Sequence, residues 1–458
     1  MKGKNFFVKT LGCKVNQVES AYIVESLLRE GFSLSSEKEA EILILNSCIV
    51  TAKAETETRK IIKRWLKLPP QIIVLTGCYS QKFYKEVSRN LPDNQVKFLI
   101  LGQKEKFRIA EILKKLSQEG QISEISKVFI QVEDVSQEKV CLPVILHNFF
   151  GHSRAFVKVQ DGCDSFCSYC IVPYVRGAPR SVPAEKVLEQ IKIFVEKGYK
   201  EVVLTGIHLG KWGQDFKPKK KLTDLLWKIE EYLELQEKEF NLRLSSLEVN
   251  EVDEDFLEFV KKSRFLVPHF HIPLQSGSNR ILKLMNRNYT REQYMETLLK
   301  LYEIYPYATF GADVIVGFPG ESEDDFKDTY EVIKDSPLNW LHIFPFSPRS
   351  GTAAEKLPGR VSPSVIKKRA EVLKRLFSEK RRCFLEKEIG KTRKVVLENF
   401  DESRGMWKGL SENYISTFVN LRDKKTELKG KIVKVKFLKL EKDYLIGDLV
   451  KDFQNKKA

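Results

Sequence analysis

The sequence predicts an α/β protein in three parts: an N-terminal parallel sheet, a partial (β/α) barrel and a small closed antiparallel β-barrel. Apolar runs alternate with helical spacing up to about residue 140, and strand-then-helix units repeat between about residues 153 and 385. Short strands without a helical pattern follow from about residue 388. Because 458 residues suffice for several cores, we predict domains over residues 1–140, 141–386 and 387–458.

In the N-terminal part the order of elements is that of a parallel sheet with helices on its faces. The predicted strands span residues 4–11, 41–46 and 71–76, and the predicted helices span residues 18–30, 51–68 and 104–116. Residues 121–140 are polar and irregular, so we predict a domain linker there.

In the middle part, repeated strand–helix units predict a barrel-like sheet that is not necessarily complete. The predicted strands span residues 155–160, 201–205, 241–245, 268–274, 309–316 and 340–346, and the predicted helices span residues 183–197, 222–233, 279–285, 291–305 and 323–336. Polar or glycine-rich motifs follow most of these strands, which is where such barrels place their active sites.

The C-terminal part predicts a small barrel, because short strands alternate with glycines and polar pairs. The strands span residues 392–398, 405–410, 414–419, 430–440 and 444–449. Outward positions carry lysines, namely Lys429, Lys431, Lys434, Lys436 and Lys439. A basic barrel suits nucleic acid, and a solvated charged face is the alternative.

The chain carries a formal net charge of +16 and a sequence pI of about 9.2. This balance favours a polyanionic partner, nucleic acid before an anionic membrane, although a merely soluble lysine-rich surface explains it equally well. No apolar run reaches the roughly 18 residues of a membrane span, and we find no signal peptide. We therefore expect a cytoplasmic protein, in which cysteines are catalytic, metal-binding or inert.

Six of the eight cysteines fall into two sets of three. Cys163, Cys167 and Cys170 lie in one short run, and three thiolates so spaced can bind three corners of an iron–sulfur cube and leave the fourth iron open to a ligand. A zinc site or a disulfide loop is the alternative. The isolated Cys141 and Cys383 are expected to be packed or exposed thiols.

In the second set, Cys13, Cys48 and Cys78 each follow a predicted strand. Ligand sites in open α/β sheets form outside the carboxyl ends of the strands, so we expect these cysteines to converge. Gly12 and Gly77 precede two of them and suit tight turns with a close backbone approach. Three unrelated buried cysteines are the alternative.

The run Cys163-x-x-x-Cys167-x-x-Cys170 resembles that of the radical S-adenosylmethionine enzymes. The resemblance implies a 4Fe–4S cluster at the first strand end of a radical-SAM barrel, with S-adenosylmethionine on its open iron and Tyr169 near the adenine. Residues 13–17, 46–48 and 76–78 are similar to the Rossmann-like N-terminal domain of the methylthiotransferases. This implies that Cys13, Cys48 and Cys78 hold a second 4Fe–4S cluster, which carries the sulfur to be transferred.

Other segments extend the resemblance over nearly the whole chain. Residues 161–174, 271–278 and 313–321 are similar to the central segment and later strand ends of the methylthiotransferases, and residues 409–414 resemble the RNA-binding TRAM module. The resemblance implies cofactor contacts from Thr205, Gly206, Ser245, Glu248, Gln275 and Gly317. On their own, these motifs are equally typical of turns and helix starts.

For several polar residues the sequence allows either a binding role or a purely structural one. Arg176 and Arg180 are candidates for gripping a phosphate or a carboxylate, or for lying in a solvated loop. The methylthiotransferases often carry another arginine where this chain has Val182, which leaves that part of the substrate contact open. His208, His269 and His271 are possible ligands, but core or loop histidines are more common.

The resemblance implies methylthiolation of carbon 2 of threonylcarbamoyladenosine next to the tRNA anticodon, because residues 12–17 look most like that branch. Isopentenyladenosine in tRNA and an aspartate of a ribosomal protein are the alternative substrates. A non-enzymatic iron–sulfur RNA-binding protein is the alternative from another class. We expect a tRNA substrate, a reductant of the flavodoxin or ferredoxin type, no membrane partner and a monomer.

Overall fold

The computed structural model describes residues 4–68, 70–91, 96–118, 128–149, 151–421 and 428–450. The chain divides into two compact units. The first comprises residues 1–150, 158–186 and 347–355, and the second comprises residues 151–157, 187–346 and 356–458. The division into three domains remains a prediction. Among the described residues, no helix has the length and apolar character needed to cross a lipid bilayer.

The first unit contains a six-stranded parallel sheet in the order β2-β1-β3-β4-β5-β6. Its strands are β1 (Asn5–Thr10), β2 (Ser33–Leu34), β3 (Ile42–Ser47), β4 (Ile72–Gly77), β5 (Lys97–Leu101) and β6 (Val128–Gln131). Its helices are α1 (Lys14–Arg29), α2 (Ala52–Trp65), α3 (Cys78–Arg89) and α4 (Ile109–Gln118). The predicted parallel sheet is confirmed, and the strand order reverses between β1 and β3, which is the switch point of such a sheet.

Strands β3 and β4 are buried along their whole length, because both faces of the sheet are covered. Leu43 and Leu45 pack in one core with Trp65 of α2. Ile42 and Ile44 point the other way, into a second core with Leu27 of α1. The continuous apolar runs in the sequence follow from this double burial.

The predicted linker over residues 121–140 is partly wrong. Residues 128–131 form β6, which pairs in parallel with β5 and extends the sheet. The error arises because β6 is a short edge strand, half-exposed and flanked by polar residues, so it lacks the apolar run of a central strand. Residues 121–127 lie outside the described residues.

The single strand predicted over residues 155–160 is divided. Residues Ala155–Lys158 form β7, whereas Gln160–Asp161 form β8. β8 pairs antiparallel with β9 (Arg180–Ser181), and α5 (Val172–Arg176) lies between them in the chain. β8, α5 and β9 belong to the first unit and flank the loop of Cys163, Cys167 and Cys170.

The second unit contains the predicted partial barrel, as two three-stranded sheets in the orders β11-β10-β7 and β12-β13-β14. The further strands are β10 (Glu201–Thr205), β11 (Asn241–Leu244), β12 (His269–His271), β13 (Thr309–Val316) and β14 (Trp340–Pro345). The helices are α6 (Ala184–Glu196), α7 (Leu222–Glu234), α8 (Glu254–Lys262), α9 (Asn279–Leu284), α10 (Arg291–Ile304) and α11 (Glu323–Asp335). A parallel bridge between Leu242 and Leu266 links the two sheets.

The second unit ends in the long helix α12 (Pro363–Glu388) and a closed five-stranded barrel. The barrel strands are β15 (Thr392–Asp401), β16 (Met406–Ser411), β17 (Ser416–Asn420), β18 (Ile432–Glu441) and β19 (Tyr444–Leu449). The expectation of a wholly antiparallel barrel is wrong in one pairing, because β17 and β19 are parallel. A ring with an odd number of strands must contain at least one parallel pair.

Candidate active site

The set of Cys13, Cys48 and Cys78 lies at the carboxyl ends of adjacent strands, as predicted. Cys13 follows β1 and precedes α1 with an extended backbone, Cys48 follows β3, and Cys78 is the first residue of α3 after β4. Cys13 is exposed, whereas Cys48 and Cys78 are buried. Burial and the neighbouring Cys78 thiol raise the pKa of Cys48 to about 12. The Cys48 thiol therefore lies close to the other two cysteines of its set and stays protonated at neutral pH unless a metal binds it.

Two glycines create the space for this set. Gly12 has a φ of +97°, and a Cβ placed on it would lie 2.9 Å from both Cβ and Sγ of Cys48. Gly77 has a φ of +92°, and its Cβ would lie 2.5 Å from the Ser47 carbonyl oxygen. Only glycine fits these positions, and the backbone approach predicted from the sequence is between the strand ends themselves.

The set of Cys163, Cys167 and Cys170 lies in a loop that backbone hydrogen bonds hold in place. The Cys163 N–H donates to the Gly177 carbonyl at 2.9 Å, and the Cys170 N–H donates to the Cys167 carbonyl at 2.8 Å. Gly162 has a φ of +75°, and a Cβ there would lie 2.0 Å from the Ala178 carbonyl oxygen. The three cysteines are partly exposed, and so is Tyr169. The loop therefore presents its thiols to incoming groups without a covering layer.

A buried ion network connects the elements that carry the two sets. It consists of Glu19, Lys106, Lys158, Asp161 and Arg176. Lys106 Nζ and Lys158 Nζ lie 2.6 and 2.9 Å from the Glu19 carboxylate, and Lys158 Nζ lies 2.6 Å from Asp161. Although burial alone raises the pKa of Glu19, the adjacent cations hold it well below its usual range.

Arg176 is the central member of the network. Its Nη2 donates to Asn16 Oδ1 at 2.6 Å, three residues after Cys13, and its Nη1 donates to Asp161 Oδ1 at 2.8 Å, two residues before Cys163. It also binds Glu19 at 3.1 Å. The solvated-loop interpretation of Arg176 and Arg180 is wrong, since both are buried and engaged within the protein.

The network has three cations and two carboxylates, so one positive charge is in excess. A buried charge without compensation is costly. The attraction of Arg176 opposes the effect of burial on the pKa of Cys48. Thiolate ligands would supply the missing negative charge, so the residues present fit an iron–sulfur cluster at Cys13, Cys48 and Cys78.

In the second unit, the predicted cofactor residues follow the barrel strands. Thr205 ends β10 and is buried, with Gly206 after it, and Ser245 follows β11 with a buried hydroxyl that makes no hydrogen bond. Glu248 forms an ion pair with Arg287. These side chains lie at the strand ends, where the sequence predicts them.

The backbone N–H groups of residues 275–277 are occupied within the protein. The Gln275 N–H donates to the Asp313 carbonyl at 2.8 Å, and the next two N–H groups donate to Leu274 and Thr329. Gln275 has a φ of +60°, which turns the chain at this strand end. At Gly317, with a φ of +76°, a Cβ would lie 2.3 Å from Ile366 of α12, so this glycine makes room for a helix.

The histidines separate into three environments. His208 Nε2 lies 2.5 Å from Glu251, and His269 stacks on Tyr414 with ring centroids 4.0 Å apart. His271 Nε2 lies 3.2 Å from Asp313 Oδ1. Sequence reasoning did not select Asn16, Glu19 or His342. The helical spacing that puts Asn16 and Glu19 on one face of α1, after Cys13, was the available signal.

Comparison with known proteins places this arrangement in a family. Residues 157–333 match the Radical SAM superfamily, and residues 5–99 match the uncharacterized protein family UPF0004. The chain is 36% identical to the threonylcarbamoyladenosine tRNA methylthiotransferase of Aquifex aeolicus, over 89% of this chain and 94% of that one. It is 33% identical to the protein of the same name from Bacillus subtilis, over 96% and 95% of the two chains.

The chain belongs to the radical S-adenosylmethionine methylthiotransferases. It is also 32% identical to the tRNA-2-methylthio-N(6)-dimethylallyladenosine synthase of Desulforamulus reducens, over 86% of this chain and 85% of that one. Among solved structures, the radical S-adenosylmethionine methyltransferase TsrM of Kitasatospora setae shares the fold, with a TM-score of 0.53 and 12% identity over 75% of this methylthiotransferase and 73% of that chain. Membership of this superfamily brings a 4Fe–4S cluster and S-adenosylmethionine.

Proposed function

We propose that this enzyme adds a methylthio group to carbon 2 of threonylcarbamoyladenosine next to the anticodon in tRNA. Curated relatives with that activity in their names are 33–36% identical over 86–96% of this chain. The observation that carries the proposal is the pair of three-cysteine sets, joined through Arg176 in one compact unit.

Each cysteine set has a separate role in this proposal. Cys163, Cys167 and Cys170 hold the 4Fe–4S cluster that binds S-adenosylmethionine, and Cys13, Cys48 and Cys78 hold a second 4Fe–4S cluster. When bound, the first group supplies a 5′-deoxyadenosyl radical and the second supplies sulfur. Two independent three-thiolate sites, each leaving one iron open, suit a reaction that needs both.

The chain's own residues hold and orient these groups. Gly12 and Gly77 let the three strand ends come close enough for their cysteines to share one ligand. Arg176 sets the position of Asn16 relative to Asp161, and therefore of one cysteine set relative to the other. Reactions between bound groups depend steeply on such placement. Tyr169, Thr205, Gly206, Ser245, Glu248, Gln275 and Gly317 remain proposed contacts of S-adenosylmethionine.

The partners follow from charge and chemistry. The lysines on the C-terminal barrel are exposed, which supports a TRAM-like module that binds tRNA phosphates. A reductant of the flavodoxin or ferredoxin type would deliver electrons, and the enzyme would act as a cytoplasmic monomer.

A second candidate substrate is dimethylallyladenosine in tRNA, because relatives with that name are 30–32% identical over most of the chain. The ribosomal-protein alternative finds no support among the named relatives. A non-enzymatic iron–sulfur protein would form no 5′-deoxyadenosine when reduced with S-adenosylmethionine.

Mass spectrometry of tRNA nucleosides from cells that lack this protein tests the proposal. We expect 2-methylthio-threonylcarbamoyladenosine to disappear and its unthiolated precursor to accumulate, and a plasmid copy to restore it. Unchanged threonylcarbamoyl nucleosides, with loss of methylthiolated dimethylallyladenosine, would instead assign the second substrate.

A further inference from the structure

Strands β12, β13 and β14 of the second unit carry a polar cluster that the cysteine chemistry does not use. The cluster consists of His271, Asp313 and His342, one on each strand, and one nitrogen or oxygen from each lies within 4.8 Å of the others. His271 Nε2 lies 3.2 Å from Asp313 Oδ1, and Asp313 is the direct neighbour of His342 in the parallel register. Three chemically competent side chains therefore meet at one point of the sheet.

The alternation of side chains along the strands shows which face carries the cluster. Phe270 and Phe310 point to the opposite face, where they stack on each other at 5.9 Å. There Phe310 contacts Tyr302 of α10, and Phe270 contacts Tyr305, the residue that follows this helix. Helices cover the outer face of such a barrel, so the polar cluster lies on the inner face. His342 is exposed and the Asp313 side chain is 29% exposed, so the space in front of them is open.

The cluster is built into the sheet. Gly311, on the same face of β13, leaves room for His271, because a Cβ there would lie 2.7 Å from His271 Nδ1. Trp340 Nε1 donates to His342 Nε2 at 3.2 Å. Both imidazoles are thus held in position by neighbours that take no part in the cysteine sites.

The space in front of the cluster has a floor and an aromatic rim. Towards the amino ends of the strands, Trp340 and His269 contact Tyr414. The guanidinium of Arg381 lies 4.9 Å from the Trp340 ring centroid, and its buried Nε and Nη1 make no hydrogen bond. Towards the carboxyl ends, Phe344 is 38% exposed on the same face as His342. The floor therefore carries a cationic side chain beside Trp340, and the rim offers a ring for stacking.

From this geometry we infer that the polar cluster binds the substituent on N6 of the substrate adenosine, an inference that rests on the proposed function. A threonylcarbamoyl group carries N–H, carbonyl, hydroxyl and carboxylate groups. The imidazole of His342, whose Nε2 accepts from Trp340, donates its other N–H to these oxygens, and Asp313 accepts from the N–H or hydroxyl of the substituent. The guanidinium of Arg381 beside Trp340 favours an anion. A dimethylallyl group would leave these polar groups unpaired, so the cluster selects against it.

Two imidazoles and a carboxylate also suit a divalent metal ion. In this structure, however, Nε2 of His342 accepts from Trp340 and Nε2 of His271 faces Asp313. A metal would have to displace these contacts, whereas a hydrogen-bonding ligand adds to them. The observations therefore favour a hydrogen-bonding ligand over a metal ion, and the test below distinguishes the two.

The test measures the preference of the anaerobically reconstituted enzyme for two tRNAs that differ only in the target nucleoside, adenosine or threonylcarbamoyladenosine. Phosphate contacts cancel in the ratio of the two dissociation constants. The variants Asp313→Asn and His342→Phe each remove polar groups at nearly constant volume. His152→Phe is the matched control, because His152 is exposed and lies outside the polar cluster.

We expect Asp313→Asn and His342→Phe to lower the preference for the modified tRNA by about tenfold, since one hydrogen bond to a charged group is lost. Binding of the unmodified tRNA, 5′-deoxyadenosine formation and the His152→Phe control should be unchanged. A preference retained in both variants, or a divalent metal present in the wild type and lost from His342→Phe, would overturn the inference. A wild-type enzyme that leaves the modified tRNA unthiolated would overturn the proposed function instead.

Discussion

Arg176 binds Asn16, which lies 160 positions away in the chain. The same guanidinium also binds Glu19 and Asp161. A guanidinium holds five donors in a fixed plane, so it fixes the relative positions of its acceptors more strictly than the rotatable ammonium of a lysine does. The same arginine lowers the pKa of the Cys13 and Cys48 thiols by charge attraction and so favours their ionised form. One side chain therefore serves both the geometry and the charge balance of the candidate site.

Replacing Arg176 by alanine should destabilise the first unit by about 3–5 kcal/mol, because it leaves buried carboxylates without their partner. Urea unfolding of the cluster-free protein would measure the change. Arg29→Ala is the control, because it removes an exposed partner of Glu25. Its urea midpoint of unfolding should equal that of the wild type. Equal midpoints for the two variants would contradict the role assigned to the ion network.

Gly12→Ala should remove one of the two clusters, because its Cβ would press on Cys48 and its φ is +97°. The iron content should fall by about half, with the S-adenosylmethionine cluster retained. Gly198→Ala is the matched control, since Gly198 has a φ of +85° and open space around its Cβ position. If Gly198→Ala lost as much iron as Gly12→Ala, backbone strain alone would explain the effect.

The cysteine ligands could be predicted from the sequence because their spacing and their position after strands are local patterns. Glu19 and Lys106 could not, because their pairing at 2.6 Å depends on how α1 packs beside the turn that precedes α4. The part of His342 in the polar cluster could not be predicted for another reason. This histidine sits in a short strand whose inward face is polar, and strand assignment does not show which neighbours face it.

The turn between β16 and β17 fixes the C-terminal barrel to the partial barrel. Asn413 is buried, and its Nδ2 donates to the Tyr307 carbonyl at 3.1 Å and to Glu388 at 3.0 Å. Tyr414 has a φ of +61° and lies under the Arg243 guanidinium, 5.2 Å from it. The segment that resembles the RNA-binding module therefore makes a structural contact within the second unit.

Asn413→Ala should loosen this attachment by about 1–3 kcal/mol, because it removes the side-chain donor to the Tyr307 carbonyl and one of the hydrogen bonds to Glu388, which Arg393 continues to bind. Hydrogen exchange of β16 and β17 should become faster, while exchange in β10 and β11 stays the same. The control Asn420→Ala, at an exposed position of β17, should change neither. Unchanged exchange in the Asn413 variant would show that the turn does not hold the barrel.

Sequence patterns predict the barrel strands and the closed barrel, but not the parallel pairing that closes it. Hairpin order makes consecutive strands antiparallel, whereas the pairing of β17 with β19 joins strands that are not consecutive. The short β6 was missed because an edge strand needs no apolar run. Helix α3 begins at Cys78 itself. The interpretation of this cysteine as a strand-end ligand does not indicate that a helix starts there.

The net charge of +16 is partly concentrated on one strand of the C-terminal barrel. Lys434 and Lys436 are exposed on β18, alternating with the buried Val433, Val435 and Phe437. Lys394 of β15 lies directly opposite Lys434. Lys394 forms an ion pair with Glu239, whereas the exposed Lys434 and Lys436 offer their charges to a phosphate backbone.

The double variant Lys434→Ala and Lys436→Ala should weaken tRNA binding and reduce the magnitude of the slope of log K against log salt by about 1–2. Titrations between low and moderate salt would measure the slope. Lys192→Ala together with Lys186→Ala, on helix α6, has the same change in charge and should leave the slope as it is. An equal reduction in both double variants would mean that binding responds to net charge alone.

The central claim is that the two cysteine sets hold clusters with different tasks in one reaction. The most direct measurement compares products of the reconstituted enzyme, reduced with S-adenosylmethionine and tRNA that carries threonylcarbamoyladenosine. The wild type should form both 5′-deoxyadenosine and the 2-methylthio nucleoside, whereas Cys48→Ala should keep 5′-deoxyadenosine and lose the methylthio product. Methylthio product from Cys48→Ala at the wild-type yield would contradict the claim.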